Sequence, residues 1–238
     1  MPSTSSGAGR IWRRIAISLI LLIIVAVAAD RVGNHIAEDT AGSTIQTSQK
    51  LRSQPRVDIA GFPFLTQLAA GDFDQVTVTA TNVPVGGDGV SVTFREIRVV
   101  LDRVTVTRDF SRVHARTADA VATVGYGALS QALGVDVSYA GNGRIKASKK
   151  ISVLGQSFTP TITAAPILTG GALSFAAAEI NGAGALGGQV SQVLHEVFGV
   201  PLPLGGIPFD IKIQKLQVDA SGLVVRLAGA DLTYTKGN

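Results

Sequence analysis

The sequence predicts an α+β protein built of long, strongly curved antiparallel β-strands and one or two amphipathic helices, preceded by an N-terminal helix apolar enough to enter a membrane. Three observations predict it. Residues 15–29, IAISLILLIIVAVAA, carry no charge. The runs Gln75–Val83 and Val90–Thr107 alternate apolar and polar residues as half-buried strands do. Apolar stripes at helical spacing occupy residues 30–53 and 187–198.

The N-terminus comes first. Residues 1–9 are Ser, Gly and Ala-rich and read as a disordered tail. Arg10, Arg13 and Arg14 surround Trp12 and precede the uncharged run. As a helix, Ile15–Ala29 spans about 22 Å. That falls short of the ~30 Å of a bilayer core unless Ile11, Trp12 and the flanks contribute. The basic start, the apolar middle and the small residues Ala26, Ala28 and Ala29 also satisfy a secretory signal. Cleaved signal and retained anchor both place the rest of the chain outside the cytoplasm. For an anchor, the arginines hold the N-terminus inside. The predicted division is a cytoplasmic tail over 1–9, a signal anchor over 10–29 and an extracytoplasmic, periplasm-facing domain over 30–238, released if the signal is cleaved.

Composition narrows the function. The chain is 46% hydrophobic and 16% charged, against about 25% charged in average proteins. Its net charge is +4, but setting aside Arg10, Arg13 and Arg14 leaves 18 basic against 17 acidic residues. A body so close to neutral gives no global attraction to nucleic acid. The absence of cysteine excludes a disulfide framework and thiolate metal or redox sites.

The elements follow in order. In 30–53 the stripe is Val32, Ile36, Ala37, Ala41, Ile45 and Leu51, with a break expected near Gly42 and an end at Pro55. In the first strand Val76, Val78 and Ala80 face one way and Thr77, Thr79 and Thr81 the other. A Gly-rich turn over 86–89 leads to Val90–Thr107. There the apolar phase is even at Val90, Val92 and Phe94, odd at Ile97, Val99 and Leu101, and even again at Val104 and Val106. Each change calls for a bulge, a bend or a break, because a slip of one residue turns the apolar face outward. Residues 117–134 read as a helix around Ala118–Val124 and Ala128–Leu133. Val135–Tyr139, Arg144–Leu154, Gln156–Ala164 and Ala172–Ile180 read as strands. Gly187–Phe198 reads as a second amphipathic helix through Val190, Val193, Leu194, Val197 and Phe198. Phe209–Val218 and Leu223–Tyr234 form a hairpin turning at DASG.

Catalytic signatures are missing. His35, His114 and His195 show no metal spacing, HEVFG at His195 lacks the second His of a zinc helix, and no G-x-S-x-G occurs. Asp72 and Asp74, either side of Phe73, read as turn and edge residues. Gly182–Gly187, GAGALG, matches G-x-G-x-x-G, but a Pro-rich stretch follows where a dinucleotide fold needs a strand. No catalytic residue, metal or cofactor is predicted, and the chain reads as a binding protein, not an enzyme.

Two features remain. G-x-P-F occurs twice, at Gly61–Phe64 and Gly206–Phe209. Such corners either plug the core or line an apolar ligand cavity. The candidate lining residues are Phe62, Phe64, Leu65, Leu68, Phe198, Ile207 and Phe209. In extended geometry Phe62 and Phe64 face the same side. Basic residues form the second feature. Arg95, Arg98, Arg103, Arg108, Arg112 and Arg116, interleaved with Glu96, Asp102 and Asp109, read as a solvated, salt-bridged face. Arg144, Lys146, Lys149 and Lys150 lie in a stretch without an acidic residue between Asp136 and Glu179. They are either membrane headgroup contacts, worth about 1 kcal/mol each, or lysines protecting a strand edge.

An apolar N-terminus and a helix are followed by VDIAGFPFLTQLAAGDFDQVTVTATNV (57–83), VSVTFREIRVVLDRVTV (90–106) and LQVDASGLVVRLAG (216–229). Together they resemble the LmeA-type phospholipid-binding proteins of actinobacteria. The resemblance implies a cell-envelope protein that binds phospholipid at a membrane without covalent chemistry and that, in one branch, supports elongation of the mannan chain of lipomannan. It implies a fold similar to tubular lipid-binding proteins, with a curved antiparallel sheet wrapped on a long helix and enclosing an apolar groove. The corners would then close an acyl-chain cavity. No motif fixes an individual lipid contact. The alternative is a solid domain that only scaffolds envelope glycosyltransferases.

Overall fold

The computed structural model describes residues 7–87, 90–109, 111–153, 156–169, 172–181, 202–203 and 212–235. The helix expected over Gly187–Phe198, the second G-x-P-F corner and the GAGALG motif lie outside them.

Helix α1 (Gly7–Ser48) runs unbroken for 42 residues. No Gly or Pro occurs between Arg10 and Val32, and Leu, Ile and Ala supply strong helix formers. From Ile17 onward it is long and apolar enough to cross a membrane, with a window of mean hydropathy 1.9 that is only 6% buried. The break expected near Gly42 does not occur. A Cβ at Gly42 would lie 2.7 Å from the carbonyl oxygen of Pro55, so this glycine admits the returning chain against the helix. The helix also ends before Pro55. Lys50 takes a left-handed φ of 52°, and the Leu51 N–H returns to the Gln46 carbonyl at 2.9 Å, which closes the C-terminus locally.

β1 (Arg56–Ala60), a short helix α2 (Phe64–Ala70), β2 (Asp72–Gly87), β3 (Val90–Val106) and β4 (Arg112–Val124) follow. Next come α3 (Tyr126–Leu133), β5 (Asp136–Gly141), β6 (Arg144–Ser148), β7 (Ile151–Val153), β8 (Gln156–Phe158), β9 (Thr161–Thr169), β10 (Ala172–Asn181) and β11 (Leu202–Pro203). β12 (Lys212–Asp219) and β13 (Gly222–Thr235) close the chain. All pairings are antiparallel. A six-stranded sheet has the order β1-β2-β3-β4-β13-β12, a five-stranded sheet the order β11-β10-β9-β6-β5, and β7-β8 form a separate pair.

α1 packs along the edge strand β1. Asn34 Nδ2 donates to the Ile59 carbonyl at 3.4 Å, and the Ile59 N–H donates to Glu38 Oε1 at 2.8 Å. Two side chains one helical turn apart thus satisfy both outward polar groups of one edge residue, which would otherwise template pairing with another chain.

The phase changes in β3 are real and are bends rather than bulges. Val92 and Phe94, then Ile97, Val99 and Leu101, then Val104 and Val106 are the more buried positions. The register to β2 and β4 nevertheless holds throughout. The switches coincide with single left-handed residues: Asn82 (φ 53°) on β2 beside the first, and Arg103 (φ 50°) on β3 with Asp231 (φ 54°) on β13 at the second. Pairs on either side (Asp102↔Thr117 with Val104↔Ala115, Ala230↔Thr117 with Leu232↔Ala115) place Arg103 and Asp231 on opposite flanks of Arg116. The second bend therefore crosses three strands at one level. Leu101 before it and Val104 after it belong to one apolar cluster, so the sheet keeps one apolar side while changing direction.

The helix expected over 117–134 is a strand as far as Val124, and only α3 is helical. Ala-rich sequence favours helix locally. Here burial alternates at Ala118, Ala120, Ala122 and Val124, and pairing to β3 and β13 on both sides decides the conformation. The closing hairpin is as expected. The Asp219 carboxylate accepts the Ser221 N–H at 2.7 Å, and the Ser221 bonds hold its pKa below the usual carboxylate value. Gly222 has φ 145°, and a Cβ there would meet the Val124 carbonyl at 2.1 Å, so only glycine lets β13 start against the end of β4. Tyr126 donates its hydroxyl to the Asp219 carbonyl, tying α3 to this turn. Burial, with the Asp219 charge, pushes the Tyr126 phenol up to about 12.

The arginine-rich face is not salt-bridged. Among the described residues the ion pairs are His35–Asp39, Arg56–Asp58 and Arg144–Glu179. Asp102 accepts instead from Gln75 at 2.8 Å and Thr117 at 3.3 Å. Exposed ion pairs are worth only about 0–1 kcal/mol, so hydration competes on equal terms.

Candidate functional site

The apolar side of the six-stranded sheet carries a furrow. Its floor is β4, where Ala118, Ala120 and Ala122 succeed one another on one face. In register, Ile97, Val99 and Leu101 of β3 stand on one side, and Val225, Leu227 and Gly229 of β13 on the other. Each row thus reads large–Ala–large, except the last, where Gly229 opens one wall. A methyl floor between taller walls makes a shallow apolar furrow along the strand, and its floor and β13 wall are buried, with Ala120, Ala122, Val225 and Leu227 all under 10% exposed. From Ala118 to Val124 it is roughly 20 Å long at 3.3 Å per residue.

The cluster around the furrow comprises Ala120, Ala122, Val225 and Leu227 with Phe94, Ile97, Val99, Ile213 and Leu216. All come from β3, β4, β12 and β13, neighbours in a single sheet. Among the described residues the cluster has no second layer. Ile97, Val99, Ile213 and Leu216 are only half-buried.

Both ends are built differently. At one end Phe94 and Leu216 also join the core between the two sheets, made of Val124, Leu129, Val135, Val137, Ile145, Ala147, Val218 and Leu223. α3 sits there, and Leu129, Leu133, Ile145, Pro166, Phe175 and Leu223 line a narrow apolar crevice of only about 10 Å³, partly open to solvent. At the other end, past the bend, Phe64, Phe73, Val104 and Ala115 pack with Leu101 and Val76. The named wall, floor and crevice residues carry no charge. Such a site can hold a hydrocarbon chain by contact alone, and it offers no acid, base or nucleophile. No group of three His, Asp or Glu able to hold a metal occurs among the described residues.

The structure separates the residues of the first corner. Phe64 is 1% exposed and stacks at a tilt on Phe73, with ring centroids 6.2 Å apart. It lies in the cluster at which the furrow ends. Phe62, Leu65 and Leu68 are 55%, 44% and 38% exposed and lie beside α1, not along the furrow. Phe62 and Phe64 do not share a side, because Pro63 is the N-cap of α2 and Phe64 already belongs to the helix. Phe198, Ile207 and Phe209 fall outside the described residues. Arg144, expected without a local counter-charge, meets Glu179 at 2.9 Å. β9 pairs with both β6 and β10 and so brings the two together. Lys146, Lys149 and Lys150 are exposed.

Sequence reading missed the furrow itself. The signal was present: of the four positions that alternate with the alanines, Thr117, Val121 and Thr123 are β-branched and only Asp119 is not, and β-branched residues at that spacing argue strand.

A family model for LmeA-like phospholipid-binding proteins matches residues 28–228. No curated protein and no solved structure matches the chain. The matched span begins at the end of the uncharged run and takes in the rest of α1, both corners, the bent strands and the first half of β13. The chain belongs to the LmeA-like phospholipid-binding family.

Proposed function

We propose that the chain is a membrane-anchored envelope protein that holds phospholipid by its acyl chains in the alanine-floored furrow, and that its lipid serves elongation of the mannan chain of lipomannan by envelope glycosyltransferases. The observation that carries the reading is the furrow: an uncharged apolar strip, without a second layer among the described residues, in a phospholipid-binding family. Each buried methylene contributes roughly 0.8 kcal/mol, so retention needs no covalent chemistry. The anchor reading is supported by α1, whose exposed apolar half continues without a break into the stripe that holds β1. With Ile11 and Trp12 the span reaches about 28 Å, close to the bilayer core. Native mass spectrometry of the full chain, purified from a bacterial membrane, should show bound phospholipid. A lipid-free protein that also takes up no fluorescent phospholipid would sink the reading.

Lys146, Lys149 and Lys150 are proposed headgroup contacts, the Arg144 charge being matched by Glu179. Replacing Lys149 and Lys150 with Glu should weaken binding to phosphatidylglycerol vesicles, most strongly at low salt. Unchanged binding would assign these lysines to protecting a strand edge.

A further inference from the structure

The first G-x-P-F corner has a surface that neither the furrow nor the core uses. Phe62, Leu65 and Leu68 are exposed, and so are Val32 and Ile36 on α1, at 59% and 60%. Val32 and Ile36 flank Gly33 on α1, against which Leu65 packs. The Arg31 guanidinium lies over the Phe62 ring, 5.1 Å from its centroid. A Cβ on Gly33 would lie 3.2 Å from Leu65 Cδ2, so the missing side chain lets α2 press onto α1. Leu68 follows Leu65 by one turn of α2, and Ile36 follows Val32 by one turn of α1.

The patch is also fixed in place. The Asp30 side chain, 3% exposed, accepts the Leu65 N–H on Oδ1 at 2.8 Å. That carboxylate caps the first turn of α2, where the orphan N–H groups and the helix dipole favour a negative charge. It is covered by the corner instead of lying on its surface. Phe62, Leu65 and Leu68 are thereby set at the level of the residues directly after Ala29.

Position then names the partner. The exposed apolar residues Ile17 to Val27 lead directly into this patch along one helix. Counting 1.5 Å per residue beyond Ala29, Arg31 stands about 3 Å and Gly33 about 6 Å further out. The interfacial layer on each side of a bilayer core is roughly 5–8 Å thick. A Phe and two Leu presented there, beside an arginine whose stem can lie in the apolar zone with its head in the phosphate layer, suit the bilayer interface.

We infer that the Phe62–Leu68 corner, with Val32 and Ile36, is a bilayer-dipping wedge that seats the domain on the outer face of its own membrane, distinct from the furrow that takes acyl chains. The inference rests on the anchor reading above. The chain has no native cysteine, so single cysteines at Ile20, Phe62, Leu65 and Ser138 can each carry an NBD fluorophore in the full chain. The labelled proteins are reconstituted into phosphatidylcholine–phosphatidylglycerol vesicles containing phospholipid with a nitroxide at carbon 5 or carbon 12. The expected result is at least twofold stronger quenching at Phe62→Cys and Leu65→Cys than at Ser138→Cys, greater for the shallow nitroxide, with Ile20→Cys quenched by the deep one. Quenching at Ile20→Cys with none at the corner would overturn the wedge and leave the anchor standing. Quenching at the corner without Ile20→Cys would keep the wedge and remove the anchor. No quenching at either overturns both.

Discussion

Ala120→Phe is expected to empty the protein of phospholipid while leaving its thermal stability nearly unchanged. Ala120 is the centre of the furrow floor, between Val99 and Leu227. A benzyl group there fills the channel from wall to wall. If an acyl chain lies in it, the variant displaces about three methylenes, or roughly 2.4 kcal/mol, close to fiftyfold in affinity. If the furrow is empty in the lipid-free fold, the ring meets space and the melting temperature holds. The contrary case is just as definite. If another part of the chain fills the furrow, the added ring overpacks a core, at a cost of about 1–3 kcal/mol, and the melting temperature falls by roughly 2–12 °C. Native mass spectrometry and thermal unfolding of the same variant separate the two. In cells, Ala120→Phe should also fail to restore lipomannan chain length where the native chain restores it. Full restoration by a lipid-free variant would detach the mannan role from lipid binding.

Phe64→Ala is expected to behave in the opposite way. Phe64 is the largest fully buried side chain among the described residues and contacts Phe73. Removing it should cost roughly 3–5 kcal/mol, since a buried phenyl leaves both lost transfer energy and a cavity. Phe62→Ala, two residues away and more than half exposed, should stay within about 0.5 kcal/mol of the native chain. Chemical unfolding of the full chain in nanodiscs gives both numbers. Bound lipid per folded protein should be unaltered in Phe64→Ala, because the residue closes an end of the furrow instead of walling it. A Phe64→Ala protein of native stability that has lost its lipid would make this residue a lipid contact, and the placement of the site would have to move towards α2.

These variants mark how far the sequence could be read. The uncharged run, the bent alternating strands and the closing hairpin were legible, because each depends on a local pattern: absence of charge, period two, or turn chemistry. The shifts of apolar phase in β3 were legible as well, although their cause was not. A single left-handed residue leaves the pattern of a bulge in the sequence while keeping the register, and only the paired strands distinguish the two.

The site was legible least of all. Ala118, Ala120 and Ala122 read as helix formers because propensity counts neighbours along the chain. Their use as a floor depends on Ile97 and Val99 from one strand and Val225 and Leu227 from another, more than 100 residues further on. The corner shows the same limit. Its composition announced that four apolar side chains must be satisfied, and no local rule says which of them turn inward. α2 begins at Phe64 and docks on Gly33, and that contact buries one phenyl and leaves the other at the foot of the apolar helix. Arg144 likewise lacked an acidic neighbour in sequence and acquired Glu179 through the β6-β9-β10 order. By itself the sequence determined the fold class, the anchor-like N-terminus and the family, since these follow from patterns a few residues long. The tertiary structure alone decided where the apolar surface gathers into a furrow and which charges are matched, since both depend on side chains that the chain brings together only when its strands pair.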